Sequence, residues 1–112
     1  MNVIKHYDLL IDEGNDAFRD PPALQEYMNK WDGRNFIESM ALDKKKTVLE
    51  IGIGTGRIAD KVAPLCLRLT GIDISPKTIE RAIINLNVHN NIDFLCADFL
   101  LYPFALTYDV IY

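Results

Sequence analysis

Residues 48–59 read VLEIGIGTGRIA: an apolar run interrupted by one acid, Glu50, and then three glycines at alternate positions, Gly52, Gly54 and Gly56. Apolar and β-branched residues suit a buried strand. Glycine has no Cβ, so it lets a chain turn sharply and approach another group closely. The stretch therefore predicts a strand over Thr47–Ile51 that breaks at a glycine loop. A helix is expected to begin at about Thr55 and to continue through Arg57–Leu65, stopping near Pro64. Its N-terminus would turn free N–H groups toward the loop, a setting that attracts a diphosphate or a carboxylate. A plain strand-to-helix turn would use the same glycines, so the cluster alone leaves ligand and scaffold both open.

Downstream the alternation continues. Leu67–Ile74 (LRLTGIDI) predicts a second strand, Ser75 caps a helix with Pro76 in its first turn, and Ile79, Ala82, Ile83 and Leu86 form that helix's buried face. Asn90-Asn91 is a turn, Ile92–Ala97 a third strand, and Tyr108–Tyr112 (YDVIY) the beginning of a fourth. Strands alternating with helices specify a parallel sheet with right-handed crossovers, whose ligands lie beyond the carboxyl ends of the strands. Asp73 falls at such an end. A carboxylate there can accept both hydroxyls of a ribose and repels a 2′-phosphate. It could instead cap the next helix, a place Ser75 already fills. Asp98, after the third strand, can accept from an exocyclic amine such as that of adenine, with Ile74 and Phe99 flanking the base. An aspartate after a strand is also an ordinary turn residue.

Upstream, residues 1–42 read as helical and 43–112 as the α/β part. Pro21-Pro22 can open a helix in which Leu24, Tyr27, Met28 and Trp31 make one apolar stripe. Asp32 is expected to cap a second helix with Phe36, Ile37 and Met40 inside, and Asp12–Asp20 to be a loop. Aromatic residues so spaced more often pack a core than line a cofactor.

The charge balance, 12 basic against 16 acidic residues for a net charge of −4, argues against nucleic acid as the main partner. The basic run Lys44-Lys45-Lys46 reads as a solvated strand entrance. His6 and His89 stand isolated and no ligand spacing suggests a metal, so none is expected. Cys66 and Cys96 read as free thiols packed in the core. Met1–Leu10 has no apolar signal-peptide core, and no apolar stretch approaches bilayer length, so a cytoplasmic protein without a membrane partner is expected.

Taken in order, these pieces resemble the class I S-adenosylmethionine-dependent methyltransferases. VLEIGIGTGRIA is similar to their first motif, GIDIS (71–75) to the second, CADF (96–99) to the third and YDVIY to the start of the fourth-strand motif. The resemblance covers roughly residues 46–112 and implies a Rossmann-like sheet of order 3-2-1-4 under an N-terminal helical cap. It implies that S-adenosylmethionine is the cofactor, S-adenosylhomocysteine the product and a small molecule the methyl acceptor. It further implies that Glu50 orders the loop from beneath, that Gly52, Gly54 and Gly56 pass along the methionine portion, and that Asp73 takes the ribose. Ile74, Asp98 and Phe99 would hold the base, and Tyr27, Trp31 or Arg34 would reach the methionine end. The competing cofactor, NAD, needs G-x-G-x-x-G, and here the third position of that pattern is Arg57. An oxidoreductase fragment or a non-catalytic association module are the alternatives. No catalytic base is identified, because the family's acceptor-choosing residues often follow the fourth strand. The sequence reaches Tyr112 within that strand, so a truncated domain is expected, together with a homo-oligomer covering the strand's open edge.

Overall fold

The computed structural model describes residues 3–12, 16 and 21–112. The elements run α1 (Val3–Asp12), α2 (Pro22–Asp32), α3 (Arg34–Ser39), β1 (Thr47–Ile51), α4 (Ala59–Val62), β2 (Arg68–Asp73), α5 (Pro76–Asn85), β3 (Ile92–Cys96) and β4 (Val110–Ile111). The four strands form one parallel sheet of order β3-β2-β1-β4, as expected.

Register explains the core. Val48 pairs with Leu69 and Leu69 with Ile92, so these side chains form a row across one face. Ala59 and Val62 of α4, Ile79 and Ala82 of α5, and Leu86 pack onto that row. Gly71 lies in the same face. A Cβ there would stand 2.2 Å from the Ile53 side chain, so the missing atom lets Ile53 lie flat on β2. On the opposite face Leu49, Thr70 and Ile72 are buried. Tyr102, Phe104 and Tyr108, from the β3–β4 connection, make edge contacts in series there and line a groove with Thr70 and Leu95.

Ser75 caps α5 as expected: its backbone is extended and its Oγ accepts from the Thr78 N–H at 3.2 Å, with Pro76 following. Ile83 departs from expectation, being 47% exposed. The buried stripe runs through Thr78, Ile79, Ala82 and Leu86, and one further residue turns about 100° out of it. The helix expected from Thr55 is also shorter. It begins at Ala59, has four residues, and ends in a 3-10 turn over Ala63–Leu65. Gly52, Gly54 and Gly56 all have positive φ, a conformation no right-handed helix can include. The helix forms only beyond them.

The N-terminal helices bring further corrections. Pro22 opens α2, and the Pro21 carbonyl accepts from Leu24 and Gln25. Its stripe is not core, however: Leu24 and Tyr27 are exposed. Asp32 ends α2 rather than capping the next helix, because α3 starts at Arg34 with Gly33 in the cap position and no side-chain cap bond. Ile37 is buried and Phe36 meets Tyr112 edge-on at 5.6 Å, so α3 is the part that joins the sheet. The Trp31 side chain lies outside the described residues. So does most of the expected loop, whose first residue, Asp12, belongs to α1.

Cys66 is buried, and burial pushes its thiol pKa up. Cys96 is exposed rather than core, because β3 is an edge strand with no fully buried residue. His89 is not isolated: its Nε2 lies 2.8 Å from Asp60. Lys44 and Lys46 donate to the carbonyls of Pro64 and Ala41 at the strand entrance. Among the described residues, no helix is long and apolar enough to cross a membrane.

Candidate functional site

The site is built where β1, β2 and β3 end. Backbone bonds stitch the glycine loop to β2: the N–H groups of Gly52 and Ile53 both donate to the Ile72 carbonyl, at 2.8 and 3.1 Å. The half-buried Asp73 carboxylate bridges the two tips. Its Oδ2 accepts from the Gly54 N–H at 3.0 Å and its Oδ1 from the Ser75 N–H at 3.2 Å. A carboxylate has about four lone-pair sites, so each oxygen keeps capacity for a further donor.

The three glycines do different work. A Cβ on Gly52 or Gly54 would meet nothing within 4 Å, so at φ +72° and +60° both border open space. At Gly56, with φ +105°, a Cβ would stand 2.6 Å from the Leu86 side chain. Gly56 therefore serves packing between the loop and α5 and, unlike Gly52 and Gly54, does not line the cleft at the strand ends. The expected helix N-terminus is also missing from the loop, since α4 starts at Ala59 and the Gly54 N–H already serves Asp73. What faces the cleft is acid rather than a nest of free N–H groups.

Gly52, Gly54, Asp73, Ile74, Asp98 and Phe99 line one cleft of about 400 Å³, together with Tyr7, Ile72, Thr78 and Ala97. Six expected site residues thus meet, from three separate strand ends. Asp98 also fulfils the ordinary turn role, its Oδ1 accepting from the Leu100 N–H at 2.9 Å. Glu50, 3% exposed, lines an adjoining cavity of about 160 Å³ beneath the loop with Gly54, Thr55 and Arg57. The Tyr112 phenol is beside it, and burial together with the Glu50 carboxylate pushes that phenol's pKa far up. Arg34 lines neither space: it pairs with Glu38 at 2.7 Å on the exposed side of α3. Tyr27 lines neither and is exposed on α2. Sequence reasoning missed Tyr7. No motif surrounds it, and its place follows only from how α1 lies against α5.

A Rossmann-like sheet of order 3-2-1-4, with glycines and acids at its carboxyl edge, defines a class of protein. The chain belongs to the class I, S-adenosylmethionine-dependent methyltransferase family: residues 48–112 match the family described as a methyltransferase domain. Among individual relatives, Nodulation protein S of Bradyrhizobium diazoefficiens is 31% identical over 58% of this chain and 31% of its own length. That of Sinorhizobium fredii is 33% identical over 56% of this chain and 29% of its own. The solved N-methyltransferase NodS from Bradyrhizobium japonicum, in complex with S-adenosyl-L-homocysteine, superposes over 99% of this chain and 55% of that one, with a TM-score of 0.76 and 26% identity. A protein-L-isoaspartate O-methyltransferase is 33% identical over 70% of this chain and 26% of its own, with a TM-score of 0.61. The chain thus spans under a third of the curated relatives it matches.

Proposed function

We propose that this chain binds S-adenosylmethionine in the cleft at the β1–β3 tips and serves methyl transfer to a small-molecule acceptor. One observation carries the reading: the Asp73 carboxylate, two glycines bordering open space, and Ile74, Asp98 and Phe99 converge on one cleft. The residues suit the cofactor. Asp73 has lone pairs for the ribose hydroxyls, Asp98 an acceptor for the adenine amine, and Ile74 and Phe99 flat apolar cover. Glu50, Asp73 and Asp98 together make a field that favours a cation over a diphosphate, which separates this reading from NAD. When bound, S-adenosylmethionine supplies a methyl group activated on a sulfonium. The residues named here bind and orient it. None is assigned as a base. A nitrogen acceptor is supported by the likeness to the N-methyltransferase NodS, and the likeness to an O-methyltransferase indicates that this half of the fold accepts other chemistries.

The same reading takes residues 1–42 as a cap and 43–112 as the cofactor half of one domain working in the cytoplasm. Copies would associate along the outer edge of β4, where Ile111 is exposed. A stable monomer at micromolar concentration in sedimentation would remove that last part.

Calorimetry with S-adenosylmethionine, S-adenosylhomocysteine and NAD tests the binding. The first two are expected to bind and NAD not to. Asp73→Asn should weaken S-adenosylhomocysteine by about 1–3 kcal/mol through loss of charged hydrogen bonds. Preference for NAD, or unchanged affinity in the variant, would overturn the assignment.

A further inference from the structure

The N-terminal helix is fastened to α5 by polar side chains. Asp8 Oδ1 accepts from Ser75 Oγ at 2.5 Å and from the Lys77 N–H at 3.3 Å, so the carboxylate sits at the start of a ten-residue helix. A negative charge is favoured there by the helix dipole and by the free N–H groups of the first turn. One turn on, Ile11 lies beside Lys77, Glu80, Arg81 and Ile84. Farther on, Asp16 accepts from Asn85 Nδ2 at 3.2 Å, and the same amide donates to the Thr55 carbonyl of the glycine loop at 3.1 Å.

These contacts run in the same order along both segments, so α1 lies beside α5 and points the same way. Residues preceding Asp8 consequently overhang the start of α5, which is where the strand tips and the cleft are. Side chains of a helix lean toward its N-terminus, which carries Tyr7 farther in that direction. Tyr7 does line the cleft, with Asp73, Ile74, Asp98 and Phe99.

We infer that Tyr7 is a binding residue at the nucleoside end of the cleft, and that Asp8 is the positioning residue that holds it there through Ser75. The ring supplies apolar cover from the side opposite the sheet, where the strand tips offer none. Asp8 does not line the cleft. It fixes the height of α1 over the cleft by anchoring the helix within one residue of Tyr7. This inference rests on the nucleoside-binding reading above and adds to it a wall drawn from the cap.

Calorimetry of the full chain with S-adenosylhomocysteine and with 5′-methylthioadenosine, which lacks the amino-acid end, tests it. Tyr7→Ala should weaken both ligands by the same factor, about tenfold, as loss of an aromatic platform does, while Tyr7→Phe stays within about twofold because the ring matters and the hydroxyl does not. Asp8→Ala should weaken both about fivefold in the wild-type background and not at all in the Tyr7→Ala background, since a residue acting only through Tyr7 has nothing left to position. A merely structural Asp8 would weaken binding equally in both backgrounds and overturn its role. Wild-type affinity in Tyr7→Ala, with affinity lost in Asp73→Asn, would overturn the inference and leave the nucleoside reading standing. Failure of both nucleosides to bind the unmodified chain would remove both.

Discussion

Between Thr47 and Cys96 the strands are held by continuous backbone ladders, and Val48 and Leu69 are fully buried within them. Helices α1 and α2 precede them, yet Leu9, Leu24 and Tyr27 are exposed, and the Asp8 and Asp16 carboxylates accept hydrogen bonds from Ser75, Lys77 and Asn85 of the α5 segment. The first region derives its position from apolar burial, which is non-directional and large. Within the second, α1 is tied to α5 by a few directional hydrogen bonds of modest net strength. A scaffold of the first kind fixes the carboxylate and glycines of the site. An arm of the second kind can bring a ring to the cleft without sharing the scaffold's stability.

The largest expected effect tests the scaffold side. Leu69→Ala should cost about 3–5 kcal/mol in urea-induced unfolding, because the fully buried side chain fills the row between Val48 and Ile92. A loss under about 1 kcal/mol would mean that the ladder, rather than the packed row, dominates. Gly56→Ala comes next and sharpens the contrast within the loop. It should cost about 2–4 kcal/mol, from the Leu86 clash and the positive φ together. Gly54→Ala meets open space and should cost only about 1–2 kcal/mol. Equal losses in thermal melts would undo the division of labour between these glycines. The smallest effect belongs to the arm: Leu24→Ser, 44% exposed on α2, should shift stability by no more than about 0.5 kcal/mol. A loss near that of Leu69→Ala would erase the comparison.

Legibility in the sequence followed the same division. The Ser75 cap and the six residues that line the cleft were readable because each depends on neighbours close in the chain or on a pattern with a short period, while the strand order came with the family resemblance. Where several elements compete for one contact, reading failed. Ile83 fits the helical period but turns out of the stripe, and the stripe on α2 has the spacing of a core face yet leaves Leu24 and Tyr27 exposed. Cys96 reads as apolar strand, yet it lies on a strand paired on one side only. Arg34 had a cationic side chain suited to a carboxylate and found one four residues away, in Glu38.

Local chemistry along the chain settled the α/β alternation, the break at the glycines and the carboxylates that end β2 and follow β3. Those features depend on backbone conformation and short-range spacing. Folding in three dimensions decided that Gly56 serves Leu86 while Gly52 and Gly54 border open space. It also decided that α1 is fastened by Asp8 to a serine 67 positions away, with Tyr7 at the cleft. Contacts of that range depend on how two helices lie against one another, which no local period encodes.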